Sequence, residues 1–196
     1  MNDHKGFFAM MARMKYIERW ALMRNSVSEN ICEHSLEVAM LAHGLGIIGR
    51  KRFGKDLSPE RLAMLGMYHD CTEIITGDMP TPVKYANDEL KEAYKAIEDS
   101  AAHRLLEMLP EDLRAEYESY FLPEQITPEE YRYVKAADKL SALIKCIEEE
   151  KTGNQEFRSA KQATYESLQQ MNMPEVTVFC EVFLPEYYKT LDELER

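Results

Sequence analysis

MYHDCTEIITGDMPTPVKY, residues 67–85, is the stretch on which the reading of this chain turns. His69 and Asp70 stand side by side, Glu73 follows one helical turn later, and Gly77-Asp78 leads into the turn Pro80-Thr81-Pro82. Packing does not call for so many ionisable groups beside Met67, Tyr68, Ile74 and Ile75, because burying each without a partner costs free energy. Their density points to a metal site whose remaining ligands come from elsewhere in the chain.

Outward from this stretch the hydrophobic spacing is helical almost throughout. Ser58 followed by Pro59 predicts the start of the helix that leads into it, with Leu62, Leu65 and His69 on one inward stripe. Upstream, residues 5–17 read as a helix with Phe7, Met11 and Met14 on one side. ERWALMRNSVSEN (18–30) reads as a turn-rich segment carrying Arg19, Trp20 and Arg24. Asn30 and Glu33 form a capping-box pattern, so a helix begins there, with His34 one turn before the core stripe Val38, Leu41, Leu45 and Ile48. Downstream, Gly77, Pro80 and Pro82 end the central helix in a structured loop. Residues 86–109 form an amphipathic helix with Leu90, Tyr94, Ile97, Ala101, Leu105 and Met108 inward. A short helix covers 111–121. Thr127-Pro128-Glu129-Glu130 opens a long helix to about 151 with Asp138 in its apolar centre, and helices over 155–171 and 175–188 complete an all-α reading. Glu148 to Glu150 read as a solvated helix end.

The composition bounds the rest. At 196 residues, with 45% hydrophobic side chains and no Ser/Gly-rich linker, the chain reads as one domain over 1–196. A net charge of −11 argues against nucleic acid or an anionic membrane as partner. A small anionic substrate remains compatible, because a bound cation reverses the local potential. The four cysteines (Cys32, Cys71, Cys146, Cys180) form no CxxC pair and read as buried or half-buried free thiols. VAMLAHGLGIIG falls short of a membrane span and FFAMMA is too short for a signal-peptide core, so the expected location is the cytoplasm.

His34, His69, Asp70 and Asp138, collected from three inward faces, make a mixed imidazole and carboxylate set suited to a first-row divalent metal. Taken singly, a lone inward histidine is an ordinary hydrogen-bonded core residue, and Asp138 could pair with Lys139. The four together favour the metal. Glu73, at i+4 from His69 and i+3 from Asp70, shares their helix face and can reach a bound water, or serve as a hydrogen-bond partner that orients a histidine. Arg19 offers a planar fork for phosphate oxygens. His43 is half a turn out of phase with His34, and His103 lies outside the motifs, so one metal per site is expected.

The pattern H…HD…D resembles that of the HD-domain metal-dependent phosphohydrolases. The flanking stretches RWALMRN (19–25), ENICEHSLEVAMLAH (29–43), MYHDCTEIITGDMPTPVKY (67–85) and VKAADKLSALIKCIEE (134–149) are similar to the bacterial 5′-deoxynucleotidases of that superfamily. The resemblance runs from about residue 7 to FLPEYYKTLDEL. It implies a single HD-type helical bundle, a homodimer, and hydrolysis of deoxyribonucleoside 5′-monophosphates to deoxynucleoside and phosphate by attack of a metal-activated water. It further implies His34, His69, Asp70 and Asp138 as metal ligands, with His34, Asp70 and Asp138 also bordering the substrate. Glu73, Arg19 and Asp78 take catalytic roles, while Trp20 and the run Asp78, Met79, Pro80 and Thr81 line the nucleotide pocket. Cobalt or manganese is the expected ion, with zinc, iron, copper or magnesium compatible. A dNTP triphosphohydrolase or a cyclic-nucleotide phosphodiesterase uses the same metal chemistry, and a non-catalytic nucleotide-binding protein could share the fold.

Overall fold

The structure, a computed structural model, describes residues 5–84 and 86–195, with the side chain of Thr81 outside the description. Its elements are helical, and among the described residues the only β pairing is an isolated antiparallel bridge between Glu18 and Asn30. The three strongest capping signals in the sequence all operate. The Asn30 side chain accepts the Cys32 and Glu33 amides while Glu33 reaches back, opening α2 (Ile31–Phe53). Ser58 accepts the Arg61 amide at the start of α3 (Pro59–Tyr68). Thr127 and Glu130 exchange the same pair of bonds at the start of the longest helix, Pro128–Lys151.

Two apolar clusters hold the bundle. The larger joins Val38, Leu41 and Leu45 of α2 to Leu62 of α3, and to Tyr133, Leu140, Ile144 and Ile147 of the Pro128–Lys151 helix. The second joins Phe7, Met14, Ile31 and Cys71 to Leu105, Leu106, Leu109 and Phe121. Ile31 belongs to one cluster and Val38, two turns later on α2, to the other. His34 therefore sits at the seam between the two cores. The same seam is crossed by the chain between Leu62 and Cys71, which places His69 and Asp70 opposite it.

The structure departs from the sequence reading in several places. Of the first helix, only Phe7–Met11 (α1) is α-helical; Ala12–Tyr16 tightens to 3-10. α3 stops at Tyr68 instead of running on to Gly77, so Glu73 does not share one continuous helix with His69. His69 Nδ1 bonds the Gly66 carbonyl at 2.7 Å where the helix ends. Residues 69–72 turn tightly instead, and a new short helix, α4 (Glu73–Thr76), begins. Gly77 then takes φ +73° and a second short helix, α5 (Thr81–Lys84), follows. Tyr85 lies outside the described residues.

α6 (Asp88–Leu106) buries Tyr94, Ala101 and Leu105 as expected, but Ile97 is 53% exposed. Next come α7 (Glu111–Phe121), α8 (Pro128–Lys151), α9 (Arg158–Gln170), α10 (Pro174–Val182) and α11 (Leu191–Leu194). Leu184–Tyr188, expected to continue α10, is a separate 3-10 turn. Glu149 is not solvated, although its neighbours Glu148 and Glu150 are exposed. It pairs with Lys145 and accepts the amides of Ser26 (2.8 Å) and Val27 (3.3 Å) and the Asn154 side chain (2.7 Å). All four thiols are free, but Cys32 is exposed rather than buried. α2 is, by length and composition, long and apolar enough to cross a membrane, contrary to the reading of its apolar run. Half of that apolar window is buried within the bundle.

Candidate active site

α2, the end of α3 and the middle of α8 bring His34, His69, Asp70 and Asp138 together. His34 Nε2 lies 3.3 Å from Asp138 Oδ1 and 3.5 Å from Asp70 Oδ2. His69 Nε2 lies 3.1 Å from Asp70 Oδ2 and 4.0 Å from Asp138 Oδ1. The two rings are 5.2 Å apart. One ligand atom from each of His34, His69 and Asp70 falls within 4.8 Å of the others. Asp138 approaches across the two imidazoles, and its cationic neighbour is Lys135 at 3.5 Å, not Lys139.

The nitrogens facing this cluster make no hydrogen bond: both Nε2 atoms are buried and unpartnered. Their Nδ1 atoms are occupied, that of His69 by the Gly66 carbonyl and that of His34 by Ser141 Oγ at 2.9 Å. A carbonyl only accepts, so His69 Nδ1 carries the proton and, in the neutral ring, Nε2 keeps its lone pair. The carboxylates are held ionised. Burial pushes Asp70 up, but the His69 charge and both imidazoles outweigh it, leaving its pKa well below the usual range. Asp138 is likewise lowered against burial by Lys135, His34 and His69. Burial and the Arg19 charge push His34 down, yet Asp138 and Asp70 leave its pKa raised. Two imidazole nitrogens without hydrogen-bond partners and two ionised carboxylates around one point fit a first-row divalent ion.

Glu73 shows the opposite behaviour. Burial, then the negative charges of Asp70 and Asp78, push its carboxyl up to about 10 against the pull of Arg19 and Lys84. Its Oε2 is buried without a hydrogen-bond partner. A carboxyl kept neutral beside two carboxylates becomes ionised when a cation arrives.

The turn-rich segment supplies the second wall. Backbone bonds Arg19 N to Glu29 O (2.8 Å) and Ile31 N to Ile17 O (3.0 Å) close it into a loop at the base of α2. Within it, one carboxylate oxygen, Glu29 Oε2, accepts both Arg19 Nη1 at 3.0 Å and Trp20 Nε1 at 2.8 Å. Trp20 has φ +58°, a left-handed conformation uncommon for a bulky residue, and its ring meets Phe157 edge-on at 5.2 Å. Burial pushes the Arg19 guanidinium down, but the charges of Glu29, Asp138, Asp70 and Asp78 leave its pKa raised. Asp78 is half-buried; burial raises its carboxyl, and Arg19 and a Trp20 backbone hydrogen bond oppose the rise. Met79 and Pro80 are half-buried beside it, and the Thr81 side chain lies outside the described residues. His43 is half-buried, and His103 is exposed.

Three residues here were not read from the sequence: Glu29, Ser141 and Glu37. Ser141, which bonds His34 and donates to Glu37 Oε2 at 2.5 Å, stands one turn beyond Asp138, and Glu37 one turn beyond His34, a spacing that becomes informative once His34 and Asp138 face inward. Nothing in the spacing of Glu29 points to its double role, which depends on how the loop closes.

Residues 6–187 match the model of the family described as 5′-deoxynucleotidase YfbR-like. A 5′-deoxynucleotidase of Vibrio cholerae serotype O1 is 48% identical over 188 residues, spanning 96% of this chain and 97% of that protein. The 5′-deoxynucleotidase YfbR of Shigella boydii serotype 18 is 45% identical over 190 residues, 97% and 96% of the two chains. Among solved structures, an HD-domain phosphohydrolase from Listeria innocua superposes with a TM-score of 0.80 at 22% identity, covering 96% of this chain and 91% of that one. The cyanophage S-2L HD phosphohydrolase DatZ, bound to dA and one catalytic Zn2+ ion, gives 0.64 at 23% identity over 93% and 96%. The helical bundle is thus the HD-phosphohydrolase fold, and the chain belongs to the 5′-deoxynucleotidase YfbR-like family.

Proposed function

We propose that this chain hydrolyses deoxyribonucleoside 5′-monophosphates to deoxynucleoside and phosphate, using one divalent ion held by His34, His69, Asp70 and Asp138. The observation that carries the reading is the pair of buried, unpartnered imidazole Nε2 atoms converging on two ionised carboxylates. Bound there, such an ion polarises the phosphate and lowers the pKa of a water. The protein's own groups do the rest. Arg19, held by Glu29, presents its fork to phosphate oxygens. Glu73 accepts the proton of the attacking water once the site is cationic. Asp78, half-buried and within electrostatic reach of Arg19 and Asp70, delivers a proton to the departing 5′ oxygen. Trp20 and residues 78–81 border the sugar, and close packing there disfavours a ribose 2′-hydroxyl.

The same reading takes residues 1–196 as one HD domain working as a cytoplasmic homodimer, with cobalt or manganese as the supporting ion. Metal-stripped protein reloaded with Co2+, Mn2+, Mg2+ or Zn2+ should release phosphate from dNMPs, more slowly from NMPs, and not from dNTPs. Asp70→Ala and Asp138→Ala should each lower the rate by about 10³-fold or more at unchanged helical circular dichroism. Activity surviving both substitutions would sink the proposal, and equal rates on AMP and dAMP would sink the sugar selectivity. A sizing column tests the dimer.

A further inference from the structure

The two histidines of the cluster are supported differently. Behind His69 stands a backbone carbonyl, which no side-chain change removes. Behind His34 stands a side-chain chain: Nδ1 meets Ser141 Oγ at 2.9 Å, and Ser141 Oγ donates to Glu37 Oε2 at 2.5 Å. Ser141 is fully buried, and its only oxygen serves both neighbours. The alternative carboxylate, Glu29 Oε1, is 3.8 Å from the same nitrogen, beyond hydrogen-bond reach.

Burial raises the Glu37 carboxyl while the Ser141 hydrogen bond opposes that rise. With Glu37 as the carboxylate that accepts from Ser141, the proton order along this chain is forced. A carboxylate only accepts, so the Ser141 proton points at Glu37. The hydroxyl has no second proton, so it can only accept from His34, whose Nδ1 must carry the hydrogen. Nε2 is thereby left as a lone pair, and it is this atom that is buried, unpartnered and 3.3 Å from Asp138 Oδ1. Ser141 lies one turn past Asp138 on α8, and Glu37 one turn past His34 on α2. The chain of bonds thus ties together the two helices that each supply a ligand.

We propose that Glu37 and Ser141 are positioning residues that set the tautomer and orientation of His34 for metal binding. The inference rests on the four-residue ligand reading above. Hydrogen-bond partners behind metal-bound histidines are worth roughly 10–100-fold in metal affinity. Removing the hydroxyl in Ser141→Ala leaves Nδ1–H buried without an acceptor, and either tautomer or a tilted ring becomes available. Glu37→Gln keeps an acceptor for the hydroxyl at the same place but adds a competing donor, so its effect is smaller and of the same sign.

The test is a competition titration of Zn2+ and Co2+ against a chromophoric chelator, with wild type, Ser141→Ala, Glu37→Gln and Asp138→Ala side by side. ¹⁵N histidine spectra of the zinc-loaded proteins give the tautomer. The expected result is a loss of about tenfold or more for Ser141→Ala and a few-fold for Glu37→Gln. The His34 Nδ1–H signal should be present in wild type and exchange faster in Ser141→Ala, with the metal-free variant still folded though less stable than wild type. Wild-type affinity in Ser141→Ala, while Asp138→Ala loses the metal, overturns the positioning role alone. Wild-type affinity in Asp138→Ala as well overturns the ligand reading beneath it. A metal-free Ser141→Ala that unfolds early while Glu37→Gln keeps full stability and full affinity also overturns the proposal.

Discussion

Glu29 is the residue whose role exceeds anything its sequence neighbourhood announces. A single carboxylate oxygen fixes both the guanidinium proposed to meet the phosphate and the indole proposed to border the sugar. Glu29→Gln keeps the size but loses the charge that pairs Arg19, and hydrogen bonds to charged groups are worth about 1.5–3 kcal/mol. The expected outcome is a KM for dNMP raised by about tenfold or more. A shifted emission from Trp20, the one tryptophan in the chain, should accompany it. An unchanged KM would remove Glu29 from the substrate side of the site.

Glu73 makes a second residue-level prediction, through pH. Its carboxyl titrates near 10 in the metal-free fold against an ordinary 4.5, so between those values the folded state holds a proton that the unfolded chain has lost. Metal-free stability therefore falls as pH rises through that window. Glu73→Gln removes this dependence. In chelator, urea unfolding should find the variant more stable than wild type at pH 8, by more than about 1 kcal/mol, and the gap should close toward pH 5. A gap that widens toward pH 5 would contradict the burial account.

At the scale of elements, the decisive contact is the close crossing of α2 and α3. A Cβ on Gly66 would stand 3.0 Å from Ala39 Cα and 3.1 Å from both Ala39 N and Val38 O, all backbone atoms of α2. Those atoms cannot swing aside as a side chain would. Gly66→Ala should therefore destabilise the fold by roughly 1–3 kcal/mol despite alanine's better helix propensity. Because α2 carries His34 and Gly66 O holds His69, metal affinity should fall as well. Thermal unfolding and metal titration of one preparation would check both. Element existence and most helix starts were legible here: Asn30–Glu33, Ser58 with Pro59, and Thr127–Glu130 are local chemistry that operates as read. The end of α3 was not legible, because nothing local marks the tight turn over residues 69–72 at which His69 Nδ1 meets the Gly66 carbonyl. Nor was Glu149. Three consecutive glutamates at a helix end look solvated until the loop of residues 24–28 folds back and supplies Ser26 and Val27 amides.

For the whole molecule, the site is the seam between two apolar clusters, and an ion there would tie α2, the turn after α3, and α8 to one another. Binding to the folded state alone stabilises by about 2.7 kcal/mol at a hundredfold excess over Kd. For a chain of this size that is roughly 5–10 °C in Tm. Chelation should lower Tm by that amount in wild type and leave Asp138→Ala unmoved. An identical shift in both would place the ion elsewhere.

The sequence by itself determined most helix starts, their caps and the inward faces of His34, His69 and Asp138, because these follow from periodicity and local hydrogen bonding, while the family followed from the resemblance of its motifs. Only the tertiary structure decided what stands behind and beside those side chains. The Gly66 carbonyl holds His69, Ser141 and Glu37 back the other histidine, and Glu29 gathers Arg19 and Trp20. Hydrogen bonds between residues distant in the chain leave no periodic trace in a single sequence, and they exist only once the two cores have closed around them.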